Sequence, residues 1–203
     1  MKIQIPEDIS DITLNQYQRY TKLMERTDLD AYNLNKRIIE IFCGIPFNDI
    51  DNIDSKDYAE IISSIEIAVN KDSAFVNRFE IDGFDFGFIP NLDDMSAKEL
   101  MDLSSHGMEV ENLHKVMAVL FRPIKGTDKF NNYTIHSYDG TKEFADFMKK
   151  TPMNVVNGAL IFFSSLAKEL QKHIQKFTEM ELVKENQQTS TLRSGIGQQQ
   201  SMN

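Results

Sequence analysis

Residues 79–90 read FEIDGFDFGFIP. Phe79 and Ile81 stand before Asp82-Gly83, and Phe84, Phe86 and Phe88 follow at every second position. A period of two marks a strand, because successive side chains point to opposite faces. Asp-Gly between two such runs predicts a tight hairpin, since both central residues of its favoured turn need positive φ. Pro90 ends the second run, so the hairpin is predicted over about 77–88. It separates this chain from an all-helical bundle, because the pattern on either side of it is mainly helical.

Toward the N-terminus, Ile3, Ile5 and Ile9 alternate loosely and predict a short initial strand. Thr13 then caps a helix with Leu14, Tyr17, Leu23 and Met24 on one face. Asp28 or Asp30 caps a second, with Leu34, Ile38, Ile41 and Phe42 inward; Gly44 stops it and Pro46 prevents its resumption. Asp54 or Ser55 opens a third, carrying Tyr58, Ile61, Ile62, Ile65 and Val69 at helical spacing.

Toward the C-terminus, Ser96-Ala97-Lys98-Glu99 is a capping box that starts a short helix through Leu103. Another helix is predicted from about Met108 to Phe121, stopped by Pro123, with Leu113, Val116, Met117 and Leu120 inward. Lys125–Asn132 reads as a polar loop, and one additional strand is predicted at about 133–138. Asp139-Gly140 turns the chain, and Thr141 caps a short helix bearing Phe144, Phe147 and Met148. Thr151-Pro152 then opens a long C-terminal helix, about 152–183. Its first half (Val155, Val156, Ala159, Leu160, Phe162, Phe163, Leu166) is apolar nearly all round and predicts burial, whereas its second half (Leu170, Ile174, Phe177, Met180) keeps only a stripe. The predicted fold is mostly α (α+β): a single helical domain over 1–183 with a hairpin, followed by an extended polar arm over 184–203.

That arm reads KENQQTSTLRSGIGQQQSMN, with five glutamines and only Leu192, Ile196 and Met202 as large apolar residues. A segment of this composition cannot bury enough apolar surface to offset its own ordering entropy. It is therefore expected to need a partner surface, with those three residues as anchors and Arg193 as a charge contact.

Of the 203 residues, 41% are hydrophobic and 26% charged, ordinary for a globular protein, and the net charge is −9. An acidic balance argues against nucleic acids and anionic membranes as partners, since these require clustered Lys and Arg. The longest apolar run, Ala159–Phe163, is far short of the roughly 20 residues of a membrane span. The single cysteine, Cys43, falls in an apolar helix pattern and reads as a buried hydrophobe in a reducing compartment.

No catalytic motif emerges. Among His106, His114, His136 and His173, no two stand three or four apart, so no helical metal face exists. The acidic run Asp49–Asp54 has Ile53 where a calcium loop needs a ligand oxygen and Asp54 where it needs glycine. Gly126-Thr127-Asp128-Lys129 lacks the spacing of a phosphate loop, and Asp93-Asp94 reads as helix-dipole partners. Lys168, Lys172 and Lys176 read as a solvated face. Phe84, Phe86 and Phe88 carry two readings: packing on the helices, which is favoured, or an aromatic hairpin face for a partner, with Phe84 and Phe86 as its candidate contacts. No catalytic, cofactor-binding or metal-ligating residue is assigned, and no cofactor is expected.

The block from Phe79 to Ser96, with Leu113–Ile124 (LHKVMAVLFRPI), resembles small virion proteins of tailed phages that infect gut Bacteroidetes, the crAss-like group included. Asp11–Tyr17 (DITLNQY) with Ile38–Pro46 (IIEIFCGIP) looks like the start of phage tail-assembly chaperones. The likeness spans roughly residues 9–166 and brings no catalytic residue. It implies a non-enzymatic ring or adaptor subunit of the tail or head–tail connector. Such a subunit is made in the host cytoplasm and located in the virion, assembling with itself and with other tail or portal proteins through a C-terminal arm. The alternatives are a tail-assembly chaperone that leaves before maturation, or a small phage enzyme with no recognisable motif.

Overall fold

The computed structural model describes residues 4–91 and 95–165. The fold is α+β. By packing, the chain forms two units, 1–159 and 160–203. In the first, three helices come in succession: α1 (Leu14–Met24), α2 (Ala31–Cys43) and α3 (Ser55–Val69). The hairpin follows as β1 (Arg78–Ile81) and β2 (Phe84–Phe88), then α4 (Ala97–His106), α5 (Leu113–Leu120), β3 (Phe121–Thr127), β4 (Tyr133–Ile135) and α6 (Ala145–Met148). A last helix, α7, runs over 153–165. Its residues 153–159 close the first unit. Residues 160–165 continue the helix in the second, where the Ser165 hydroxyl donates to the Ile161 carbonyl.

Local chemistry sets most boundaries. Thr13 and Gln16 form a reciprocal capping box at α1, and Ser96 and Glu99 form another at α4. The Asp30 carboxylate caps α2 through the Asn33 N–H, and Gly44 ends it at φ 67°. The Gln16 carboxamide donates to the carbonyls of Ile41 and Phe42, satisfying the last turn of α2 from α1.

The sheet is an antiparallel meander in the order β1-β2-β3-β4. Phe79 pairs with Phe86, Phe86 with Pro123, and Phe88 with Phe121. Helix α5 supplies the centre of the core, with Val116, Met117, Val119, Leu120 and the following Phe121 all fully buried. The start of α7 is stitched to α1: Leu14 donates its N–H to the Thr151 carbonyl, and Met153 to that of Ile12, each at 2.8 Å.

Several expectations fail for local reasons. Ile5 lies in irregular chain, and Ile9–Asp11 is a 3₁₀ turn rather than a strand. Asp8 accepts the Ser10 N–H while Asp11 accepts those of Glu7 and Asp8, and such short side chains compete with a strand ladder. Ile3 lies outside the described residues. The polar loop expected from Lys125 begins instead as strand, since β3 runs without a break from α5 to Thr127. Pro123 does end the helix. In the strand it lacks only a donor, and its carbonyl still accepts the His136 N–H at 3.0 Å. The helix expected from Met108 starts as a 3₁₀ turn at Val110–Asn112. In α2 the buried positions are Lys36, Ile39, Ile41 and Phe42 rather than Leu34 and Ile38. Met24 is exposed. Thr151 does not cap α7 with its side chain; its hydroxyl donates to the Met148 sulfur at 3.4 Å. Ile161 is 58% exposed, so the apolar face of α7 does not extend burial all round past Ala159. The expected continuation of this helix to 183, and the arm over 184–203, lie outside the described residues.

Candidate functional site

The hairpin turn has Asp82 at φ 50° and Gly83 at φ 81°, the paired positive values that the Asp-Gly signal predicts. The Asp82 carboxylate receives the Lys150 ammonium, which also lies over the Phe147 ring at 5.3 Å. The hairpin is thus tied down beside α6 instead of projecting.

Phe84, Phe86 and Phe88 share one face but differ in exposure, at 60%, 1% and 4%. Phe88 packs edge-on against Phe75 and Phe121. Phe86 stacks on Phe79 and meets Phe144 and Phe147, which follow each other at helical spacing around α6. Phe84 touches Phe147 edge-on at 6.2 Å and leaves the rest of its ring open. Packing on the helices therefore holds for Phe86 and Phe88, whereas Phe84 remains available.

Between the hairpin and α6 lies an open groove of about 650 Å³. Phe84, Phe86, Phe144, Phe147, Pro123 and Ile124 give it apolar walls, and Asp85, His136 and Glu143 stand among them. A second, more enclosed cavity of about 180 Å³ adjoins it, sharing Pro123, His136, Glu143 and Phe144. Arg122 and the segment Ser137–Gly140 complete this cavity.

The polar cavity has a built wall. Arg122 is 8% exposed, and its Nη1 lies 2.8 Å from the carboxylate of Glu99, which is 4% exposed. Glu99 also accepts the Ser96 N–H and hydroxyl at 2.7 Å each, so one carboxylate closes the α4 cap and pairs the arginine. The Tyr138 hydroxyl donates to Asp102 at 2.5 Å; burial, then that carboxylate, push its pKa well above the ordinary tyrosine value. Arg122 Nε is buried with no hydrogen-bond partner. A buried donor left unmade costs about 1–3 kcal/mol, a cost that the fold bears at Arg122.

The other candidates resolve into structural roles. Asp51 pairs with the buried Lys36 at 2.7 Å and accepts the Tyr32 hydroxyl, while Asp54 stands at the N-cap of α3. Asp128 accepts the N–H groups of Phe130 and Asn132, folding its own loop. His114 faces the Gln18 carboxamide at 3.2 Å, and burial holds its pKa below the usual value. Burial pushes the Cys43 thiol up to about 11, which disfavours the thiolate at neutral pH. Among the described residues no group of three or more His, Cys, Asp or Glu is placed to hold a metal ion. No described helix is long and apolar enough to cross a membrane. Asp93, Asp94, His173, Lys168, Lys172, Lys176, Leu192, Arg193, Ile196 and Met202 lie outside the described residues.

Sequence reading identifies Phe84 and Phe86 but not their partners across the groove. Phe144 and Phe147 read as the inner face of a short helix, and Arg122 as a residue between a helix and a proline. The available signal was a lone arginine inside the apolar run 116–124, a position where a charge needs a partner. Compared with known proteins, the chain matches no family model, no curated protein and no solved structure.

Proposed function

We propose that this protein is a non-enzymatic subunit of a phage tail or head–tail connector, and that it binds a neighbouring protein segment in the Phe84–Phe147 groove. The observation that carries the binding role is the groove itself: apolar walls, an aromatic ring left 60% exposed at its mouth, and a few polar groups to one side. Such a surface suits an apolar anchor flanked by polar chain, and burying one large apolar side chain there contributes about 1.5–3 kcal/mol. The phage setting is supported by the resemblance of residues 9–166. Multiplication in a symmetric assembly turns one such modest contact into stable association.

Phe84→Asp tests this reading. Phe84 is exposed, so the variant is expected to fold with an unfolding midpoint close to wild type. In purified virions, mass spectrometry should find the wild-type chain and at least about tenfold less of the variant, the size of one lost apolar anchor. Variant incorporation at the wild-type level would refute the groove as the assembly surface. Absence of the wild-type chain from mature particles would refute a resident subunit in favour of a chaperone.

A further inference from the structure

We propose that the groove receives the β3–β4 loop of a second copy of this chain, with Phe130 as the apolar anchor and Lys129 paired to a carboxylate of the groove. This rests on the binding role given to the groove above and names the segment that fills it.

The loop is built to present that ring. Asp128 accepts the N–H groups of Phe130 and Asn132 at 2.8 and 2.9 Å, and the Asn132 carboxamide at 3.0 Å. The Asp128 N–H in turn donates to the Asn132 carbonyl at 2.8 Å. Asn131 takes φ 66°, a conformation that asparagine enters more readily than most residues. From β1, Arg78 donates to both the side-chain and the backbone oxygen of Asn131 and lies over the Tyr133 ring at 4.4 Å. The turn is thus fixed from within and from the sheet. At its tip Phe130 is 73% exposed, the highest value for a large apolar side chain among the described residues. This ring adds nothing to the core of its own chain. Holding it in place beforehand removes an ordering cost that a mobile segment meets on binding.

The charges of loop and groove match. Lys125 and Lys129 are exposed, Lys129 lies over its own Phe130 ring at 4.9 Å, and neither forms an ion pair among the described residues. At the groove, Asp85 and Glu143 are likewise unpaired among the described residues. Cations of the surrounding elements are committed elsewhere: Lys150 to Asp82, Lys149 to Asp146 and Arg122 to Glu99. Copies with a net charge of −9 repel one another, so a tip bearing two free lysines is the face best suited to meet free carboxylates.

Shape and chemistry agree with charge. The open side of Phe84 and the edge of Phe147 offer a third ring the tilted contacts that aromatic groups prefer. A groove of about 650 Å³ holds that ring with the aliphatic stem of a neighbouring lysine. One such anchor is modest by itself. It selects which faces of two copies meet, and any contact made by the C-terminal arm adds to it.

The test uses the full chain with the photo-cross-linking residue benzoylphenylalanine in place of Phe130, mixed with an excess of heavy-isotope-labelled wild-type chain and illuminated. Cross-links should join position 130 of the light chain to residues 84–86 or 144–147 of the heavy chain. Cross-links confined to the light chain, cross-links elsewhere, or none at all would each overturn the assignment. In parallel, sedimentation should show Phe130→Ser weakening self-association about tenfold or more, with an unchanged unfolding midpoint. Lys129→Glu should weaken it about threefold, and Glu143→Lys or Asp85→Lys in the same chain should restore it. Restoration by neither would overturn the placement of Lys129. The two levels separate cleanly. If Phe84→Asp lowers incorporation into virions while Phe130→Ser leaves self-association unchanged, the groove stands and this occupant falls. If Phe84→Asp leaves incorporation unchanged, both fall.

Discussion

At Arg122 one residue joins fold and site. Its guanidinium is buried against Glu99, and Glu99 in turn closes the N-terminus of α4. Two buried charges hold each other at large desolvation cost, so removing one leaves the other uncompensated. Arg122→Met should therefore lower the unfolding free energy by about 3–5 kcal/mol, measured by urea denaturation, even though methionine fills similar volume. A loss under about 1 kcal/mol would mean that water reaches Glu99 and the pair is effectively solvated. Lys36 is a second buried cation, 3% exposed, held by Asp51 and by the Phe47 ring 4.0 Å away. Neither residue was legible as buried. Helical spacing tracks apolar residues and assigns charged ones to solvent by default, so a cation whose partner is distant in sequence escapes it.

Among the elements, those with strong local chemistry were legible. The Asp82-Gly83 turn, the Thr13 cap, the Ser96 capping box and the Gly44 stop all depend on contacts within a few residues, and all appear as read. Strand β3 did not, because its existence depends on pairing with β2 more than thirty residues earlier. The groove shares this difficulty: its hairpin wall was legible, but its α6 wall comes from tertiary packing. Gly158 shows the same limit in α7. A Cβ there would stand 2.4 Å from the Ala74 carbonyl oxygen and 2.9 Å from Phe75 Cα, so the helix and the segment before β1 approach backbone to backbone. Gly158→Ala gains about 1 kcal/mol of helix propensity but incurs about 1–3 kcal/mol of overpacking against unyielding backbone. The expected outcome is a lower thermal midpoint. A higher midpoint would show that the 71–76 segment moves aside at little cost.

For the whole molecule, stability and assembly should separate. The described core lies within residues 9–159, from Ile9 through α5 to Ala159, and the acid-rich body contrasts with residues 186–203, whose single charged side chain is Arg193. If the arm serves only intermolecular contact, deleting residues 186–203 removes no core side chain. Unfolding of the shortened chain, followed by circular dichroism at a concentration too low for association, should then keep its midpoint within about 2 °C of wild type, the shift that a few tenths of a kcal/mol produces. If the arm carries assembly, the same deletion should abolish self-association at assembly concentrations. It should also remove the concentration dependence of the wild-type midpoint, because partner binding stabilises the folded state by mass action. A fall of many degrees in the dilute midpoint would place the arm in its own chain's folding rather than in assembly.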